Sequence, residues 1–166
     1  MKSALLLVAL ATAVAASGCA KSPSSDTAAP ASAATTAATV SKYDSGPRAG
    51  EQPIDEALAK AGKQLFTDKG CSACHAFGAK LSGPDLAGVT QRRTAVWMEN
   101  QILHPDVMTK EDPISRQLMS VHALQMPNLN LTPDQAKSLI EYLKHQDHEA
   151  SEETASSEHA EKENKR

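Results

Sequence analysis

The chain has 166 residues, 40% of them hydrophobic, and a formal net charge of −3, so it has room for one small domain and carries no basic excess that would draw it to nucleic acid. Aromatic residues make up only 3% of it, which excludes a large self-sufficient core. Charge divides unevenly: residues 51–146 hold ten Lys/Arg against eleven Asp/Glu, whereas residues 147–166 hold three against seven.

Residues 1–18 have the layout of an export signal: Lys2, an apolar core from Ala4 to Ala16, then small residues up to Cys19. The apolar stretch is too short to span a bilayer comfortably. Ala16-Ser17-Gly18-Cys19 resembles a bacterial lipobox, so residues 1–18 are expected to be a lipoprotein signal and Cys19 the lipidated residue. The alternative is ordinary secretory cleavage that leaves Cys19 as a free thiol. The odd cysteine count favours lipidation. Residues 19–50 are rich in Ala, Ser, Thr and Pro and predict a flexible tether. A coil of that length reaches roughly 30 Å.

Pro53-Ile54-Asp55 opens an amphipathic helix, with Ile54, Ala57, Leu58, Ala61, Leu65 and Phe66 on one face and proline in the first turn. Gly62 falls within that face. Close approach of a second helix would explain it; simple tolerance is the alternative. Next comes Cys71-Ser72-Ala73-Cys74-His75, a c-type haem attachment motif. Each thiol adds to one vinyl group of the same macrocycle edge, and the turn between them directs the imidazole to the iron. A thioredoxin-like dithiol would need a βαβ setting, and a structural zinc site would need a second Cys/His pair; neither is present. Thr94 to Leu103 predicts a helix stopped by Pro105, and a shorter one runs from Asp112-Pro113 to about Leu124. Thr132-Pro133-Asp134-Gln135 predicts a capped helix start, followed by an apolar stripe of Ala136, Leu139, Ile140 and Leu143 with Tyr142 beside it. No alternating strand pattern occurs. Residues 147–166 read as a disordered charged tail, in which His148 and His159 are weak metal-ligand candidates.

The order of an N-terminal helix, Cys-x-x-Cys-His, Gly83-Pro84-Asp85-Leu86, then Met126-Pro127 before a C-terminal helix resembles the class I c-type cytochromes over residues 51–146. The resemblance implies an all-α fold of four or so short helices around one covalently attached haem c. It also implies haem attachment outside the cytoplasmic membrane, in keeping with an export signal. Cys71 and Cys74 would carry the thioethers and His75 would be the proximal ligand. The Pro84 carbonyl would accept the proton on the far nitrogen of His75. For the sixth position Met98, Met108, Met119, Met126, His104 and His122 compete. Met126 is preferred because it lies in an extended segment, is held away from helix by Pro127, and matches the Met-Pro position of the family. Met98 and Met119 fall in predicted helices, Met108 in a loop. Trp97, Arg92 and Arg93 are candidates to hold the propionates, with Asn100 and Asn128 weaker ones.

The function implied is single-electron transfer, not catalysis, by a monomer on the periplasmic side of a bacterial membrane. Its expected partners are membrane respiratory donor and acceptor proteins. Ala20, where inner-membrane lipoproteins usually carry Asp, leans toward the outer membrane. A dedicated subunit of a terminal oxidase or reductase, nitrous-oxide reduction included, is the alternative. A haem enzyme or gas sensor would require an open sixth site.

Overall fold

A computed structural model describes residues 40–165. The expected signal, Cys19 and the tether up to residue 39 lie outside the described residues. Among the described residues six α-helices follow one another: α1 Glu56–Asp68, α2 Val89–Arg92, α3 Ala95–Leu103, α4 Pro105–Glu111, α5 Pro113–His122 and α6 Pro133–Asn164. Among the described residues there is no strand. The all-α expectation holds, with two more helices than the four or so foreseen.

Local chemistry explains where these helices begin. Asp55 caps α1, its carboxylate accepting from Ala57 N at 3.1 Å and Leu58 N at 3.0 Å. Thr94 caps α3 through Trp97 N, and Asp112 caps α5 through Ser115 N. Thr132 and Gln135 exchange both bonds of a capping box at the head of α6. Pro105 does more than end α3: it occupies the first turn of α4, where a missing N–H costs nothing.

The crossing of α1 on α6 organises the domain. A Cβ at Gly62 would run into the backbone carbonyl of Ser138, so glycine is needed for this approach. The buried side of α1 is Ala59, Gly62 and Phe66, with Leu58 and Leu65 half-buried, whereas Ala57 and Ala61 of the expected stripe are exposed. Phe66, Phe77 and Tyr142 form a triangle with ring centroids 5.5 to 5.8 Å apart. Lys144, 4% exposed, ties the start of α1 to α6: its ammonium donates to Pro53 O and pairs with Glu141 at 2.8 Å, and Glu141 also accepts from Asp55 N at 2.9 Å.

Both expected domain limits move outward. The stretch before Gly50 is not all tether, because Ser41 to Ala49 packs on the helices. Asp44 accepts from Thr94 N at 2.8 Å and from Arg48 at 3.0 Å, and Ala49 is buried. At the other end the charged tail is helical: α6 runs on to Asn164, with side chains exposed from His148 to Glu163. Asp147 belongs to the fold. Its carboxylate accepts from Gly88 N at 2.6 Å, Thr90 N at 2.9 Å and Thr90 Oγ1 at 2.6 Å, clamping α2 onto α6. An exposed i,i+4 ion pair, Lys165 with Glu161 at 2.8 Å, lies along the tail. Among the described residues no helix is long and apolar enough to cross a membrane.

Candidate functional site

Gly70, at φ 72°, ends α1 and releases the chain into a tight turn over Cys71–Ala73. Cys74 N and His75 N both bond back to Cys71 O, at 3.2 and 3.0 Å, so the two thiols and the imidazole sit on one short coil. Both cysteines are free and half-buried. Burial pushes the Cys71 thiol up, which keeps it protonated at neutral pH.

The next segment folds back over this turn. Gly83 N donates to Cys74 O and Leu86 N to Ala76 O, each at 2.9 Å. His75 Nδ1 lies 2.9 Å from Pro84 O. A carbonyl can only accept, so Nδ1 carries the proton and Nε2 keeps its lone pair. Gly83 is sterically required here, since a Cβ would stand 2.7 Å from His75 Cε1 and 2.9 Å from Cys74 O. Asp85 locks the loop by accepting from Gly78 N at 2.8 Å and Ala87 N at 2.9 Å. Those two backbone donors hold its carboxyl below the ordinary range.

Cys71, Cys74 and His75 line a cavity of about 190 Å³ whose remaining walls are mostly apolar, including Leu86, Ile102, Leu131 and Leu143. Met126 lines the same cavity, from the irregular segment between α5 and α6, and so do Pro84, Trp97, Arg92 and Arg93. Of the weaker propionate candidates, Asn100 and Asn128 do not line it. The bonding of the lining residues differs from expectation in places. The Trp97 indole N–H is already given to buried Asp112 at 3.0 Å, so it is committed away from a propionate. Arg92 donates one nitrogen to Ala87 O at 2.7 Å, and Arg93 lies 5.2 Å over the Trp97 ring while reaching Asp44 at 3.5 Å. Each guanidinium has five N–H donors, and these bonds use Nη1.

Of the competing sixth ligands, Met126, Met98, Met119 and His122 line the cavity, whereas Met108 and His104 do not. Met108 is in α4, not a loop, and is 0% exposed in the core away from the cavity wall. His104 also stands off the wall. Met98 lines the cavity from α3 as part of the buried core. Met119 and His122 border the cavity from α5, and His122 Nδ1 is 3.2 Å from Ser82 O. Gln101, Ser115 and Asp112, none foreseen, stand behind Met126; they came together through folding across more than ten residues, which no local pattern announces.

These residues fit a covalently bound haem. Two free thiols and an imidazole with its far nitrogen engaged share one apolar cavity with a thioether, and a glycine is needed where the imidazole packs. A helical fold wrapped around such a cavity defines a small haem protein with attachment through cysteine. The cytochrome c family model matches residues 59–147, and the chain belongs to that family. It is 30% identical over 83 residues to cytochrome c-551 from Ectopseudomonas mendocina, a match covering 50% of this chain and 94% of the relative. Among solved structures, cytochrome c from Rhodothermus marinus is similar at 34% identity and a TM-score of 0.56, covering 61% of this chain and 96% of that one. An engineered form of that protein, Rma TDE, matches at 32% identity with the same TM-score and coverage. As in the family, this chain binds one covalently attached haem c, and the class I cytochrome c fold is the one observed.

Proposed function

We propose that this protein is an exported, lipid-anchored single-electron carrier of a respiratory chain, in which His75 and Met126 would hold the haem iron. The observation that carries the ligand assignment is that His75 and Met126 line one cavity, with His75 Nδ1 engaged by Pro84 O. Haem c supplies a one-electron couple when bound. The chain's residues do the rest. Cys71 and Cys74 hold the group as thioethers. The proton fixed on His75 Nδ1 sets the ring's orientation and strengthens Nε2 as a donor. A thioether at the sixth position favours the reduced state and leaves no place for oxygen or peroxide. Leucine and isoleucine walls keep water out, and Arg92 and Arg93 are positioned to pair with propionates.

Lipidation at Cys19 and the Ala/Ser/Thr/Pro segment behind it would hold the domain near the membrane, where local concentration replaces diffusion between a membrane donor and acceptor. In this reading the chain works in the periplasm as a monomer. Carbon monoxide tests the reading. The reduced wild-type protein should leave it unbound and reduced Met126→Ala should bind it. Ready binding by the wild type would reverse the assignment toward a sensor or enzyme.

A further inference from the structure

Behind Met126 runs a line of side chains outside the Cys-x-x-Cys-His and Met-Pro motifs. Asp112 is 1% exposed. Its Oδ1 accepts from Trp97 Nε1 at 3.0 Å and Ser115 N at 2.9 Å and lies 3.2 Å from Ser115 Oγ, while Oδ2 has no hydrogen-bond partner among the described residues. Burial acts to raise this carboxyl, but the hydrogen bonds from the Trp97 indole and Ser115 help hold it below the ordinary range, so it is an anion at neutral pH. Ser115 Oγ lies 2.5 Å from Gln101 Oε1, and Gln101 Nε2 lies 4.0 Å from Met126 Sδ.

Proton counting orients the amide. Ser115 has one hydroxyl proton and two acceptors within reach, Gln101 Oε1 and Asp112 Oδ1. The Asp112 oxygen already takes two N–H donors and is the farther of the two. The proton therefore goes to Gln101 Oε1, which leaves Nε2 facing the sulfur. A flipped amide would set Oε1 against Sδ, lone pair to lone pair.

We propose that Gln101 is a positioning residue for Met126, its amide oriented by Ser115, which is itself anchored on Asp112. The proposal rests on the reading of Met126 as the sixth ligand. An N–H aimed at the thioether draws electron density from sulfur. That weakens donation to the oxidised iron more than to the reduced, so the donor raises the reduction potential.

The test uses purified holoprotein, with redox titration and denaturant unfolding measured side by side. Gln101→Leu should shift the Fe(III)/Fe(II) equilibrium about threefold to tenfold toward Fe(III), tenfold being about 59 mV for one electron. Ser115→Ala should shift it the same way by less, and Ser115→Thr, which keeps the hydroxyl, should stay within about twofold of wild type. Should Gln101→Leu yield no folded holoprotein, Gln101→Ala removes the donor without adding bulk or charge, and the same shift is expected. An equilibrium within about twofold of wild type in the Gln101 or Ser115→Ala protein, or a shift toward Fe(II), overturns the proposal. Met126→Ala separates the two readings. If it retains the iron–sulfur absorption band, the ligand assignment fails. If it loses the band while Gln101→Leu leaves the potential unmoved, only the relay fails.

Discussion

The two walls that hold His75 and Met126 are built differently. Around His75, residues 70 to 87 bond to one another through backbone groups and nearby side chains: Cys71 O, Cys74 O, Pro84 O and the Asp85 carboxylate all take donors from within that stretch. Around Met126 the chain from Leu124 to Leu131 has no regular structure, and Ala123 and Asn130 flank it at φ 52° and 51°. Its anchorage comes from far along the sequence, through Gln101 on α3 and Ser115 on α5. The His75 wall is held by its own segment, the Met126 wall by the packing of three elements. The Met126 wall should therefore be the part that gives way first.

Removing the thioethers breaks the His75 wall most severely. Cys71→Ser with Cys74→Ser should eliminate covalent haem, read as loss of haem colour from the denatured, acid-acetone-washed protein; retained colour would contradict the attachment role. Gly83→Ala attacks the same wall sterically. The added Cβ must displace the His75 ring or the Cys74 carbonyl, at a cost of about 1–3 kcal/mol in denaturant unfolding.

A truncation after Gln146 acts at a third place and sharpens the contrast. It strips the acceptor from Gly88 N, Thr90 N and buried Thr90 Oγ1, and should cost about 1–3 kcal/mol. Ending the chain after His148 should cost far less, because the side chains from Glu149 to Glu163 are exposed. Equal stability of the two truncations would refute the role given to Asp147.

Acid should act on both walls, through Asp85 beside His75 and through Asp112 behind Met126. The Asp112 carboxyl titrates lower in the folded than in the unfolded chain, so its contribution is complete above about pH 4 and fades as pH falls through the folded value. Asp112→Asn should be the less stable protein at pH 7, and the gap should narrow below pH 4. A gap independent of pH would show that the carboxylate charge plays no part.

Legibility in the sequence followed the range of the interactions. Cys71 to His75, Gly83 to Leu86 and the Thr132 cap were readable because each works within a few residues. Gly62 was readable because a glycine inside an apolar stripe asks for a reason, and Ser138 supplies it. The reach of Asp44 to Thr94, of Asp147 to Thr90 and of Gln101 to Met126 was not readable, since nothing local marks a carboxylate or amide for a partner tens of residues away. Met108 looked like loop because Pro105 and Pro113 bracket it. Proline in a first turn instead starts α4 and α5 and buries that methionine. The α6 extension was read as disordered from its charge, although its spaced Glu, His and Lys pairs also suit a solvated helix.

The most direct measurement is the long-wavelength iron–sulfur absorption band of the oxidised protein. It should be present in the wild type and absent from Met126→Ala. A band that survives this substitution, or that is missing from the wild type, would contradict a cavity closed by His75 and Met126.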